Sequence, residues 1–155
     1  MNYQNILDCS IADGEGVRVV LFVTGCSHNC KGCHNPECQN PNNGKLFTED
    51  VKNKLFSLID KPYIDGLTLS GGDPLFSNNR DDILKLVKEF KLKFSNKTIW
   101  LYTGYKFCEI KDLEILNYID ILVDGEFKID EKDITLPFRG SSNQCIINVR
   151  EALNK

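Results

Sequence analysis

The sequence lacks a long hydrophobic run. Its longest uninterrupted apolar stretch is Val19 to Val23, whereas a helix that spans a membrane needs about 20 consecutive apolar residues. The N-terminus also lacks a charged segment followed by an apolar core, so its pattern is not that of a signal peptide: MNYQNILDCSIADGEG. We therefore expect a cytoplasmic protein that does not associate with membranes.

A dense basic block is missing as well. The chain carries 22 acidic and 19 basic side chains, for a net charge of -3. Phosphate binding normally leaves a basic face, so nucleic acid is not an expected partner. Internal repeats, low-complexity tracts and linkers are also absent. A chain of 155 residues fits one domain, residues 1–155, that buries roughly 70% of its unfolded surface.

Cysteine is well represented. The chain has seven cysteines, and an odd number in a reducing compartment argues against a disulfide framework and for metal-binding or catalytic thiols. Three of them, Cys26, Cys30 and Cys33, follow the apolar stretch Val17–Val23, which has the composition of a buried strand.

The remaining pattern alternates strands with helices. The predicted strands are Val17–Val23, Gly66–Ser70, Thr98–Tyr102, Ile119–Val123 and Cys145–Val149. The predicted helices are one capped by Thr48, one over Arg80–Phe90 capped by Asn78 or Asn79, and one over Phe107–Asn117. This alternation predicts an α/β fold with a mainly parallel sheet. A full (β/α)8 barrel needs about 250 residues, so the chain has room for part of such a barrel or a small open sheet.

Four loops follow the predicted parallel strands at their carboxyl ends. They are the cysteine loop, Gly71–Pro74, Thr103–Tyr105 and Asp124–Glu126. Ligands of parallel α/β folds bind at this edge of the sheet. We therefore expect the four loops to form one site.

The cysteine spacing, C-x3-C-x2-C, leaves two kinds of metal site open. A structural zinc ion wants four ligands, and Cys38, His28 or His34 would supply the fourth. Iron–sulfur chemistry fits better, because three cysteines on a four-iron cluster leave one iron free for a small molecule. A cluster that only carries electrons is normally held by four cysteines.

Two motifs together resemble the radical S-adenosylmethionine (SAM) superfamily: the cysteine trio and Ser70–Pro74, which is similar to that superfamily's glycine-glycine-acid motif. The stretch Asp13–Arg18 resembles the DGPG-[I/V]-R segment of glycyl-radical activating enzymes, with Glu15 in place of the proline. Gly25–Pro36 and Phe138–Gln144 are most similar to the activators of anaerobic (class III) ribonucleoside-triphosphate reductases, which share Gly32 where most of the superfamily has an aromatic residue.

The resemblance implies a partial (incomplete) TIM-like barrel of parallel strands of the radical SAM type, which binds a [4Fe-4S] cluster and SAM. The cluster would be held by Cys26, Cys30 and Cys33. The resemblance assigns adenine contacts to the backbone of Gly32, Cys33 and His34, contacts to the methionine amino group to Gly71, Gly72 and Asp73, and ribose or carboxylate contacts to Thr103 and Asp124.

The implied activity is reductive cleavage of SAM to a 5′-deoxyadenosyl radical, which generates a glycyl radical on the large subunit of anaerobic ribonucleotide reductase. A low-potential donor such as flavodoxin or ferredoxin would supply the electron. Two alternatives remain: an activator of another glycyl-radical enzyme, such as pyruvate formate-lyase, and a zinc-stabilised binding module. The other thiols, Cys9, Cys38, Cys108 and Cys145, are expected not to be ligands, and Arg139–Gln144 is either a polar turn or a docking segment.

Overall fold

The structure, a computed structural model, describes every residue from Met1 to Lys155. Its centre is a seven-stranded sheet with the strand order β3-β1-β2-β4-β5-β6-β7. The strands are β1 (Asn2–Ser10), β2 (Arg18–Val23), β3 (Lys45–Leu46), β4 (Gly66–Gly71), β5 (Thr98–Tyr102), β6 (Ile121–Asp124) and β7 (Cys145–Asn148). The α-helices are α1 (Glu49–Ile59), α2 (Arg80–Lys93), α3 (Phe107–Ile110) and α4 (Val149–Leu153).

The predicted α/β class is confirmed, but the expectation of a mainly parallel sheet holds only for its centre. Strands β2, β4, β5 and β6 pair in parallel, whereas β1, β3 and β7 pair antiparallel. The short segment between β1 and β2 explains part of the difference, because parallel neighbours need a crossover of a dozen or more residues. The sheet is therefore mixed.

The two faces of the sheet have different environments. Along β2, Val19, Leu21 and Val23 point into a core of 23 buried residues that includes Leu55 of α1 and Ile83 of α2. Because side chains alternate along a strand, the intervening residues point to the opposite face. That second face carries more polar side chains, including Arg18, Thr68, Ser70, Thr98 and Tyr102.

The helices agree with the prediction at α1 and α2. The Thr48 side chain accepts a hydrogen bond from the Val51 amide at 3.3 Å, as expected of an N-cap. Helix α2 begins at Arg80 and continues to Lys93. None of the helices is both long and apolar enough to cross a membrane.

The third predicted helix is wrong in extent. Helix α3 ends at Ile110, and a 3₁₀ helix over Glu114–Tyr118 follows it. The apolar residues Ile110, Leu113 and Leu116 recur every third position, which suits a 3₁₀ helix better than an α-helix.

Candidate metal and cofactor site

The cysteine loop turns sharply because three of its residues have left-handed backbone conformations. Gly25, Asn29 and Gly32 have φ values of 104°, 56° and 74°, a region that glycine enters freely and asparagine tolerates. At its base, the Gly25 amide donates to the Cys38 carbonyl at 2.8 Å. The loop therefore leaves the end of β2 and is tied back to the segment that follows it.

The Gly71-Gly72-Asp73-Pro74 turn packs directly against this loop. The Asp73 amide donates to the Gly25 carbonyl at 2.8 Å. A Cβ atom at residue 72 would lie 2.5 Å from the Cys38 carbonyl oxygen and 2.6 Å from that of Gly25. Only glycine therefore permits this approach of the two loops.

Asn79 joins the cysteine loop to the glycine turn through hydrogen bonds. It is 2% exposed, and its Nδ2 donates to the Thr24 carbonyl at 2.8 Å and to the Asp73 carbonyl at 3.3 Å. Asn79 does occupy the predicted N-cap position of α2, but its side chain makes no capping hydrogen bond. It joins loops instead of capping the helix.

The predicted convergence of the four strand-end loops is confirmed. A cavity of about 140 Å³, here called the cysteine cavity, is lined by residues from all four loops and from neighbouring segments: Cys26, His28, Cys30, Cys33, His34, Asn35, Ser70, Gly71, Gly72, Tyr102, Thr103, Gly104, Gly125, Phe127 and Gln144. The three predicted metal ligands thus face the same space as Gly72.

A larger cleft of about 500 Å³ adjoins the cysteine cavity. It extends over the polar face of the sheet to Asp13 and Phe138, and we call it the tail cleft. The two spaces share six lining residues: His34, Asn35, Ser70, Tyr102, Phe127 and Gln144. Together they have room for a ligand much larger than a metal ion.

Two still larger cavities, of about 620 and 860 Å³, lie around the amino-terminal ends of the strands. Neither contains a cysteine. Arg18, which lines one of them, already donates to Thr68, Thr98, Glu15 and Leu67. In spite of their size, these cavities hold no thiol for an iron–sulfur cluster and no converging trio of metal-ligating side chains.

The three thiols do not converge closely enough to bind one zinc ion together. None of the cysteines is in a disulfide. Zinc–sulfur bonds are about 2.3 Å long, so sulfurs on one zinc ion lie within about 4.6 Å of each other. The one trio of His, Cys, Asp or Glu with ligand atoms within 4.8 Å of one another is instead Cys26, His28 and Asp73. In that trio a 2.7 Å hydrogen bond already joins His28 to Asp73.

The environment of two of the thiols, Cys26 and Cys30, favours their neutral form when no metal is bound. Burial raises the pKa of the Cys26 thiol and of the Cys30 thiol above the usual value. A coordinated metal reverses this preference, because a thiol that binds a metal loses its proton. The site is therefore suited to metal-bound thiolates rather than to free reactive ones.

The carbonyl groups of the glycine turn offer acceptors to a ligand. The Gly71 carbonyl accepts one hydrogen bond, from Asn35 Nδ2 at 3.3 Å, and retains its second lone pair. The Gly72 carbonyl accepts no hydrogen bond from the chain. Because Gly71 and Gly72 both line the cysteine cavity, these carbonyl groups are candidate acceptors for an ammonium group bound there.

The predicted acidic contacts, Asp73 and Asp124, line neither the cysteine cavity nor the tail cleft. Asp124 accepts from the Phe107 amide at 2.8 Å and from the Cys145 amide at 3.2 Å. Asp73 binds Thr103 and His28, and its hydrogen bond is the main reason that the pKa of His28 is raised.

The other predicted contacts lie near the cavity. Gly32 packs on Ile129, since a Cβ at that position would be 2.9 Å from the Ile129 Cδ1 atom. The ring of His34 lies 4.6 Å from that of Phe127. Both His34 and Cys33 line the cysteine cavity.

Comparison with known proteins agrees with this geometry. Residues 12–147 match the family described as "4Fe-4S single cluster domain". The chain is 50% identical over 146 residues to the anaerobic ribonucleoside-triphosphate reductase-activating protein of Enterobacteria phage T4, which covers 93% of this chain and 92% of that protein. It is 40% identical over 154 residues to the protein of the same name from Escherichia coli K12, covering 97% and 100% of the two chains.

The chain belongs to the family of anaerobic ribonucleoside-triphosphate reductase-activating proteins. A third relative of that name, from Vibrio cholerae, is 40% identical over 94% of this chain and 97% of its own length. The matched residues therefore include the cysteine loop, the glycine turn and the C-terminal segment Phe138–Gln144.

Two residues of the site, Tyr102 and Gln144, were not predicted from the sequence. Tyr102 lines both cavities, donates to the Phe138 carbonyl at 2.7 Å, and has a raised pKa because it is buried. Gln144 accepts from the Gly140 amide at 3.0 Å and donates to the Gly125 carbonyl at 3.0 Å. The alternation of β5 contains the signal for Tyr102, whereas the role of Gln144 depends on contacts distant in sequence.

Proposed function

We propose that this chain activates an anaerobic ribonucleoside-triphosphate reductase by generating a glycyl radical on its large subunit. One observation carries the proposal: the three thiols and Gly72 line a single cavity in a chain that is 50% identical to an activating protein of that name. The large reductase subunit is accordingly the proposed partner, and flavodoxin or ferredoxin is the proposed electron donor. We place this activity in the cytoplasm, with no nucleic acid or membrane involved.

Cys26, Cys30 and Cys33 would hold a [4Fe-4S] cluster, and the adjoining cleft would hold SAM. When bound, these two groups supply one-electron reductive cleavage of SAM to a 5′-deoxyadenosyl radical. The open carbonyl of Gly72 supports its role as acceptor for the ammonium group of SAM. The backbone of Gly32, Cys33 and His34 is the proposed adenine contact.

The chain's own residues would exclude water from the reacting groups. Two aromatic side chains, Tyr102 and Phe127, line both the cysteine cavity and the tail cleft, and two more, Phe22 and Phe138, line the tail cleft. Tyr102 holds Phe138 through its hydrogen bond. This aromatic lining would limit the access of water to the site and so suits radical chemistry, in which water causes side reactions.

We further propose that residues 1–155 form a single domain and that the sheet is a partial barrel of the radical SAM type. The single core of 23 buried residues supports one domain. The four central parallel strands, with helices α1 and α2 packed on one face, support the partial barrel.

The test is to purify the chain without oxygen, reconstitute it with iron and sulfide, and reduce it in the presence of SAM. We expect methionine and 5′-deoxyadenosine as products, and an organic radical on an added anaerobic reductase. A radical that forms only on pyruvate formate-lyase would favour the alternative partner. A colourless chain with one tightly bound zinc ion and no SAM cleavage would favour the binding module.

A further inference from the structure

The acidic residue of the glycine turn has its hydrogen-bonding capacity filled by the chain itself. Asp73 is 1% exposed. Its Oδ1 accepts from the Leu75 amide at 2.8 Å and from Thr103 Oγ1 at 2.9 Å. Its Oδ2 lies 2.7 Å from His28 Nε2 and accepts from the Gly104 amide at 3.0 Å. An ionised carboxylate has about four acceptor sites, so none remains for a ligand.

His28 connects this carboxylate to the cysteine loop. It lies between Cys26 and Cys30 in sequence, and its side chain is 9% exposed. Because a carboxylate only accepts, Nε2 is the donor to Asp73. The ring lies edge-on to Tyr105, with centroids 4.6 Å apart.

The backbone after β5 is shaped to receive the His28 ring. A Cβ atom at residue 104 would lie 2.5 Å from His28 Cδ2 and 2.7 Å from Nε2, so Gly104 allows the ring to rest on the main chain. The other ring nitrogen, Nδ1, lies 3.2 Å from Glu126 Oε1. The ring is thus held on several sides.

The cysteine loop has little internal support of its own. Between Cys26 and Cys33 the only hydrogen bond within the backbone runs from the Cys33 amide to the Cys30 carbonyl, at 3.2 Å. The position of the loop therefore depends on contacts made from outside, and the hydrogen bond from His28 to Asp73 is a buried contact of this kind.

We propose that His28 and Asp73 form a latch that positions the cysteine loop, and that Asp73 is a positioning residue rather than a ligand of SAM. The inference rests on the proposed function, since the latch serves cluster binding. It changes the assignment of the acidic residue in the glycine turn, while Gly71 and Gly72 keep theirs.

The test measures the rate at which iron passes from the reconstituted chain to an added chelator. Asp73→Asn removes the charge and half of the acceptor sites of the residue that binds His28, and His28→Phe removes the donor, so we expect iron release at least about tenfold faster in each variant. The double variant should be no faster than the faster single variant, because both changes break the same contact. His28→Gln retains an N–H donor and should restore much of the wild-type rate.

Asp120→Asn is the matched control for a purely structural role. Asp120 also joins two segments, since its Oδ2 accepts from Lys91 Nζ at 2.6 Å and from the Ile99 amide at 2.7 Å, but it does so at the opposite edge of the sheet. This variant should lower thermal stability while iron is released at the wild-type rate. Iron release from Asp120→Asn as fast as from Asp73→Asn would overturn the latch.

SAM binding distinguishes the latch from a ligand role. The change that SAM causes in the electron paramagnetic resonance (EPR) spectrum of the reduced cluster reports binding. We expect Asp73→Asn chains that have retained their iron to bind SAM with wild-type affinity. If Asp73→Asn weakened SAM binding but released iron at the wild-type rate, Asp73 would be a SAM ligand and the latch proposal would be wrong. A wild-type chain that binds no iron would instead contradict the proposed function.

Discussion

Cys38 is the thiol that comes nearest in sequence to the three proposed ligands, and its surroundings differ from theirs. It is 1% exposed and belongs to the buried hydrophobic residues, and it does not line the cysteine cavity. Burial, followed by the charges of Glu37 and Cys33, raises the pKa of its thiol to about 11. It is therefore a packing residue that resists becoming a thiolate.

Cys38→Ala and Cys30→Ala should separate packing from metal binding. We expect Cys38→Ala to retain the full iron content and to lose only about 1 kcal/mol of stability, since little apolar volume is removed. Cys30→Ala should lose most of its iron, because it lacks one of three ligands. Iron and sulfide analysis after anaerobic reconstitution measures both; equal iron loss in the two variants would show that the ligand set is wrong.

The raised pKa of Cys38 predicts a loss of stability at high pH in the metal-free chain. The unfolded thiol ionises near its usual pKa of 9.0, whereas the folded thiol retains its proton to about 11. Between these values the unfolded state binds fewer protons, so the free energy of unfolding falls as pH rises. The fall should reach roughly 2 kcal/mol.

Urea unfolding between pH 8 and pH 11, with a reductant present, measures this effect. The Cys38→Ala chain should lose less stability over the same range, because it lacks the group. Equal pH dependence in the two chains would show that Cys38 is not the cause.

At the residue level, the sequence predicted which thiols and glycines line the site better than it predicted the hydrogen bonds between distant residues. The thiols and glycines that it singled out do line one cavity. Thr103, which was assigned to the cofactor, lines the cysteine cavity, whereas Asp73 lines neither space and accepts hydrogen bonds from Thr103 and His28. The hydrogen bond from Thr103 to Asp73 joins residues 30 positions apart, and residue spacing along the chain gives no signal for such a contact.

At the scale of the elements, one buried arginine joins strand β2 to its neighbours in the sheet. Arg18 is 1% exposed, and burial lowers its pKa to about 10. Its guanidinium donates five hydrogen bonds to neutral oxygens, of which two belong to Thr98. These bonds connect β2 to β4 and β5 on the polar face of the sheet.

Arg18→Lys should destabilise the chain by about 2–4 kcal/mol, because an ammonium group cannot reach all of these acceptors and leaves some of them buried and unpaired. Arg150→Lys is the control: this exposed arginine makes no hydrogen bond and lines the same cavity, so its change should stay within about 0.5 kcal/mol. Urea unfolding measures both. A loss for Arg18→Lys no larger than that of the control would show that the hydrogen bonds are not needed.

The strands that were predicted most accurately are those with a strong pattern of apolar residues. Strand β5 matches its predicted bounds, and β2 and β4 differ from theirs by one residue. Strand β1 gave no such signal, because none of its nine residues is buried. Its place in the sheet comes from pairing with β2 and β3, which only the folded chain reveals.

At the scale of the whole molecule, the topology brings the site together. Four parallel strands end at one edge, and their loops supply the cysteine cavity. That convergence follows from alternating strands and helices, so the sequence predicts it. The tail cleft was not predicted, because the tail folds back over the polar face through contacts such as that of Tyr102 with Phe138.

We propose that the cysteine cavity holds a radical-generating centre that acts on an anaerobic reductase. The most direct measurement is the EPR spectrum of that reductase after anaerobic incubation with the reconstituted chain, SAM and a reductant. We expect about four irons per chain and an organic radical on the reductase that depends on SAM and disappears with Cys30→Ala. A chain that holds its cluster and cleaves SAM, yet leaves the reductase without a radical, would contradict this proposal.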